Sequence, residues 1–192
     1  PHGKLRVTMS DVGQGDALAI DLPDGQLMLV DGGGFVGSPV DPGERVLLPM
    51  LRERRRKRAD IVVLSHPHPD HFTGLVSTMA GIEVGELWDT GQGEAQGAGP
   101  IYAAFLALAR ERGAVVRGPS DLCGGERAIG GARIEVLAPC PSFDPDLNAN
   151  DNSFVIRIAY GSRAVLLTGD AEAHEEAALL GDRPERLRAD LL

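Results

Sequence analysis

Ser65-His66-Pro67-His68-Pro69-Asp70-His71 is the stretch on which the reading of this sequence turns. It follows Ile61-Val62-Val63-Leu64, an apolar run that reads as a buried strand. Residues two apart on an extended backbone point the same way, so His66 and His68 are expected to reach one metal ion together. Pro67 and Pro69 stiffen the stretch by fixing their own φ. Asp70 and His71 come as the chain turns into a helix expected over Thr73 to Ala80, where they face a second position nearby. A lone histidine is ordinarily packing or surface. Four metal-type ligands in six residues, stiffened by two prolines at a strand end, point instead to metal binding. Imidazole with carboxylate suits zinc, and also manganese or iron.

A second strand ends in a carboxylate: Val165-Leu166-Leu167-Thr168-Gly169-Asp170. By itself a Gly-Asp after a strand reads as a turn or cap; beside the histidine cluster, Asp170 becomes a candidate to bridge two metals. Short strands are expected before the cluster, at Leu5 to Met9, Ala17 to Asp21 and Leu27 to Asp31, joined by Gly-rich turns. A helix is expected over Pro42 to Arg58, with Val46, Leu47, Met50 and Leu51 on one face. Arg52, Arg54, Arg55, Arg56, Lys57 and Arg58 crowd its end. That run is either a solvated helix terminus, favoured by the helix dipole, or a phosphate-binding patch. Beyond the cluster the pattern gives a strand over Ile82 to Trp88, a loop over Gly91 to Gly99 and a helix over Pro100 to Arg112. Hairpins then turn at Gly130-Gly131 and Gly161-Ser162, and helices are expected over Glu172 to Leu180 and Pro184 to Leu192. Two sheets face to face with helices outside accommodate this order.

The chain has 192 residues, 43% hydrophobic and 24% charged, enough for one sizeable domain over residues 1–192. The net charge of −9 argues against a general basic grip on nucleic acid and favours a metal-rich site or a small substrate, without excluding a phosphodiester. No apolar stretch approaches the roughly 18 residues that a membrane span needs. The start lacks an initiator Met, so the chain is expected to be a piece of a longer parent. Cys123 and Cys140 form no CxxC pair and read as buried or partly buried thiols, with a disulfide only in an oxidising compartment.

His66-x-His68-x-Asp70-His71 with the strand-terminal Thr168-Gly169-Asp170 resembles the metallo-β-lactamase superfamily. That resemblance implies an αββα four-layer α/β sandwich and two divalent metal ions, zinc or manganese. It implies His66, His68 and Asp170 at the first position, and Asp70, His71 and a shared Asp170 at the second. Asp70 and Asp170 then carry the catalytic roles, and Asp31 supports the metal loop by hydrogen bonding. A narrower resemblance covers nearly the whole chain. Asp11-Val12-Gly13-Gln14-Gly15-Asp16-Ala17, Leu22-Pro23-Asp24-Gly25, Gly43-Glu44-Arg45-Val46-Leu47-Leu48-Pro49 and Asn150-Asp151-Asn152-Ser153 are similar to the C-terminal domain of the ComEC/Rec2 competence family. That family supplies the inner-membrane channel for DNA uptake, and its domain is thought to degrade the strand that is not imported. DNA and the transmembrane region of the same bacterial polypeptide are the implied partners, with no membrane contact by this piece itself. The same motif also occurs in free-standing hydrolases, so a small-molecule esterase, phosphodiesterase or lactonase stays open, as does a non-catalytic docking domain.

Two departures from the superfamily pattern matter. Its usual third histidine is absent where this chain reads Asn148 to Ser153, so Asp151 or an asparagine oxygen is expected to support the first metal. The histidine expected to complete the second metal lies beyond Leu192, and His174 reads as a solvated helix residue. The fold is therefore expected to be C-terminally truncated, and this piece to bind metal weakly by itself.

Overall fold

β4 (Arg58–Val63) lies at the centre of a six-stranded sheet in the computed structural model, which describes residues 2–182 and 184–192. Its neighbours are β1 (Arg6–Met9), β2 (Leu18–Asp21), β3 (Leu27–Val30), β5 (Glu83–Trp88) and β6 (Val115–Arg117), in the order β1-β2-β3-β4-β5-β6. The first three strands pair antiparallel, β1 with β2 and β2 with β3. From β3 onward the pairing is parallel. Parallel neighbours need crossovers, and helices supply them. A wide turn at Gly43–Leu47 runs into α1 (Leu48–Glu53) between β3 and β4. Next come α2 (Pro69–Gly81), and then α3 (Gln92–Gln96) with α4 (Pro100–Glu111). After β6 come a single turn, α5 (Pro119–Leu122), and a second sheet in the order β10-β9-β8-β7. It comprises β7 (Arg127–Ile129), β8 (Ala132–Ala138), β9 (Val155–Tyr160) and β10 (Arg163–Leu167), all antiparallel. Finally α6 (Ala173–Asp182) packs outside that sheet.

Alternation along the strands builds the layers. Leu27, Leu29, Val62 and Leu64 face α1, α2 and α4, where they meet Leu51, Phe72, Leu75, Met79, Tyr102 and Phe105. Met28, Val30, Ile61, Val63 and Trp88 face the other way and meet Ile134, Val136, Phe154, Ile156 and Ile158 of the second sheet. The outer face of that sheet, at Ala138, Val155 and Leu166, is covered by Leu179 and Leu187. The result is the αββα sandwich expected from the element order. Each large side chain buried in these layers stabilises the fold by roughly 1.5–3 kcal/mol. α2 sits unusually close to the β3 end: a Cβ on Gly74 would lie 2.0 Å from the Gly32 carbonyl oxygen. Only glycine permits that approach, and it is what seats the start of α2 against Asp31.

Several elements differ from their sequence expectation. α1 ends at Glu53, because Arg54 and Arg56 turn back to pair with Asp21. α2 begins at Pro69, so Asp70 and His71 lie in its first turn. Gln92–Gln96 is helical where a loop was expected, held to the 140s loop by Gln92 Nε2 donating to the Leu147 carbonyl at 3.0 Å. Pro184 to Leu192 is not a helix. Pro184–Leu187 makes one tight turn, and Leu191 then forms a parallel bridge with Val165 of β10. Cys123 and Cys140 are joined as a disulfide rather than left as thiols, their Cα atoms 5.8 Å apart. No helix among the described residues is long and apolar enough to cross a membrane.

Candidate metal centre

The parallel strands deliver their carboxyl ends to one place. β3 runs out at Asp31, β4 leads to Ser65 and His66, and β5 leads to Asp89; the crevice outside such strand ends is where open α/β sheets bind ligands. Asp31 is 1% exposed and has φ +57, a left-handed conformation that few non-glycine residues adopt. Its carboxylate fixes two groups at once. Oδ1 accepts the Ser65 N–H at 2.8 Å, and Oδ2 lies 2.9 Å from His71 Nδ1. With the proton on Nδ1, His71 Nε2 is left with its lone pair facing Asp170 Oδ2, 3.4 Å away. His66 is fully buried and is held at Nδ1 by Ser65 Oγ at 3.0 Å. Its Nε2 therefore also faces Asp170 Oδ2, at 3.8 Å.

His66, His71 and Asp170 each bring one ligand atom to within 4.8 Å of the other two. His68 joins from the side, its Nδ1 3.0 Å from His66 Nε2. The reason differs from the one the spacing suggested. The backbone bends at Pro67: His68 N–H donates to the His66 carbonyl at 2.9 Å, and this bend brings the rings edge to face at 4.6 Å. Asp170 reaches the cluster because Gly169 crosses behind it with φ +52, where a Cβ would sit 2.9 Å from Ser65 Cβ. Asp70 stands just outside the tight group, in the first turn of α2, with Oδ2 3.5 Å from Gln14 Nε2.

Asp151 does not face the cluster. Its Oδ1 accepts the Glu175 N–H at 3.1 Å and so caps the first turn of α6. His174 is exposed, as expected. One residue at the site was missed in the sequence. Asp16 ends the Asp11-Val12-Gly13-Gln14-Gly15-Asp16 turn, and its carboxyl is raised above the ordinary range by burial and then by the charges of Asp31, Asp170 and Asp70. The signal was present in that motif, whose second aspartate has no turn-forming duty of its own.

The electrostatics suit cation binding. Burial, then the neighbouring His71 and His68, depress His66 to about 2, so its imidazole is a neutral donor. Burial is also the largest influence on His71 and acts downward, but the Asp31 hydrogen bond and the charges of Asp31, Asp170 and Asp70 outweigh it and raise the ring to about 9. A divalent cation satisfies that excess of negative charge as well as a proton does. The donor set fits such an ion: the nitrogen and oxygen separations of 3.0–3.8 Å are spans that two bonds of about 2 Å can bridge. A ligating histidine held by a carboxylate at its other nitrogen, as Asp31 holds His71, is the usual supporting arrangement.

The metallo-β-lactamase superfamily model matches residues 10–79, the part that carries Asp31 and the histidine cluster. The chain is 27% identical, over 97% of its length, to ComE operon protein 3 of Bacillus subtilis, covering 24% of that protein. It is 26% identical, over its whole length, to competence protein ComA of Neisseria gonorrhoeae, covering 23% of it. It thus spans about a quarter of the length of these relatives. Among solved structures, the metallo-β-lactamase fold protein YhfI from Bacillus subtilis superposes with a TM-score of 0.57 at 19% identity, over 93% of this chain and 62% of that one. Members of the superfamily are typically metal-dependent hydrolases, and the fold implies divalent metal binding. By fold and by the motif-bearing part of its sequence, this chain is a metallo-β-lactamase-fold domain with ComEC-type competence proteins among its sequence relatives.

Proposed function

We propose that this chain is a metal-dependent phosphodiesterase domain that degrades DNA within a ComEC/Rec2-type uptake protein. The observation that carries the reading is the convergence of His66, His71 and Asp170 within 4.8 Å, with His68 adjacent. The match over nearly the whole chain to proteins named for competence supports the substrate class. His66, His68 and Asp170 would hold a first divalent ion, zinc or manganese, and Asp70 and His71, with Asp170, would hold a second. Bound there, such ions would supply a hydroxide near neutral pH and neutralise charge developing on a phosphoryl group. The chain's own residues keep the geometry fixed. Asp31 holds the Nδ1 proton of His71, Ser65 orients His66, and Asp170 presents a half-exposed carboxylate to the crevice.

One observation favours a different substrate. The charges of Asp70 and Asp170 act on Asp16, an acidic setting that suits a small or cationic ester better than a polyanion unless the ions are present. The two readings separate on the full-length gene product supplied with Mn²⁺ or Zn²⁺. Cleavage of single-stranded DNA without sequence preference, abolished by the paired change His68→Ala and Asp70→Ala, is the expected result. Clear turnover of a small ester with no DNA cleavage under any of several metals would overturn it.

A further inference from the structure

At the other end of the same sheet lies a basic cavity. Arg6 pairs with Asp21, and Asp21 with Leu27, so these residues mark the end of the sheet from which β3 runs toward Asp31. The four strand steps from Leu27 to Asp31 separate the two ends by roughly 13 Å. A cavity of about 310 Å³ opens here, lined by Arg6, Asp21, Arg54, Arg55 and Arg56.

Its walls are organised. Asp21 is 2% exposed, and its carboxylate lies 3.4 Å from Arg54 Nη1 and 2.5 Å from Arg56 Nη2. Arg54 Nη2 also donates to Thr8 Oγ1 at 3.1 Å, and Arg56 Nη1 to the Gly25 carbonyl at 2.6 Å. One buried carboxylate thus fixes two guanidinium groups and neutralises only one of them. Arg55 and Arg6 have no side-chain partner among the described residues, and neither do Arg52 and Lys57 alongside. This is unexpected where acidic residues outnumber basic ones by 28 to 19. Elsewhere Arg58, Arg110, Arg117, Arg133, Arg163 and Arg186 each find a carboxylate. Arg55 further holds φ +55 at the residue just past the C-terminus of α1, a place where glycine is the relaxed choice. A left-handed arginine there is strained and gains no side-chain partner among the described residues.

We infer that this cavity is a phosphate-binding site that takes a backbone phosphate of single-stranded nucleic acid, at a distance from the metal centre. Guanidinium groups match phosphate oxygens in charge and in their forked donor geometry. The choice of a polynucleotide over other phosphates rests on the phosphodiester reading above. A strand held at the metal centre has its next few phosphates within reach of this end, inside the span of about 4–16 nucleotides that single-strand grooves cover. Arginines placed away from the acidic crevice give the polyanion a hold that the crevice does not provide.

The test is binding without turnover: the chain in excess chelator, titrated with a fluorescent oligothymidine across a salt series. Arg6→Ala with Arg55→Ala is expected to weaken binding roughly tenfold. It is also expected to flatten the dependence of log K on log salt by about 0.7, the share of one phosphate neutralised on a single strand. Both side chains are exposed and unpaired, so the variant keeps its fold; Arg55→Glu, expected to weaken binding further, provides a second check. Arg110→Ala with Arg127→Ala removes two charges elsewhere and is expected to change nothing. Equal binding by Arg6→Ala with Arg55→Ala would overturn the inference. So would capture of vesicles rich in anionic lipid, or of inorganic phosphate, by a chain that ignores the oligonucleotide. Loss of DNA cleavage with oligonucleotide binding intact would count against the nuclease reading and leave this site standing.

Discussion

Asp31 shows how much one residue can carry. It donates nothing to the cluster, yet it fixes both the Ser65 backbone and the His71 ring from a buried, left-handed backbone position. Strained backbone of this kind persists where the surroundings over-determine it, and it concentrates at functional sites. Asp31→Ala would free His71 to rotate and leave the Ser65 N–H unpaired. We expect metal affinity to fall about 10- to 100-fold, the range seen when carboxylates supporting a ligand histidine are removed. Calorimetric titration with Zn²⁺ measures it; an unchanged dissociation constant would remove Asp31 from the site. The role of Asp31 was legible in the sequence only through family resemblance. Its partners were not, because hydrogen bonds across 34 and 40 residues follow from the sheet order.

Among the elements, α6 carries a buried carboxylate in its first turn. Asp151 caps its first turn, and Glu175 in that turn is buried with Oε2 unpartnered. Burial, and then the Asp151 charge, raise Glu175 from 4.5 to about 8. The folded state therefore holds a proton that the unfolded state has released between pH 4.5 and 8. This group's contribution is fully present below pH 4.5 and is lost as pH rises through 8. Glu175→Gln is expected to flatten stability across that window and to be more stable than the parent above pH 8, by at most roughly 5 kcal/mol. Denaturant melts of both proteins at pH 5 and pH 8.5 decide it, and parallel curves at the two pH values would rule the account out. α2 makes the complementary point. Its start at Pro69 was misjudged from sequence by four residues, because the helix begins inside the metal motif, where the prolines read as strand stiffeners.

Across the whole molecule, the two sheets share one apolar interface while their helices face outward. The disulfide joins the residue after α5 to the loop after β8 across a separation of 17 residues. Closing a loop of that length stabilises by roughly 3 kcal/mol on the chain-entropy account. Replacing both cysteines with serine is expected to lower Tm by roughly 6–12 °C in a chain of this size. A reductant should mimic the substitution, and scanning calorimetry with and without it checks both. Charge is divided at the same scale: carboxylates collect at the metal end of the first sheet and unpaired arginines at the other, which a net charge of −9 conceals.

The sequence by itself determined the layered class and the identities of the metal-type side chains. Both are written locally, in apolar runs that alternate along strands and in a histidine-proline stretch placed at a strand end. Tertiary structure alone decided which of those side chains converge. His66 and His71 meet Asp170 because β4 and β10, a hundred residues apart in the chain, end at the same edge of facing sheets. It alone turned Asp151 toward α6, brought Cys123 to Cys140, and set Arg54 and Arg56 on a buried Asp21. The physical reason is common to all of them. Periodicity and turn chemistry act over a few residues, whereas partners for buried charge and sulfur are chosen by how sheets and helices pack.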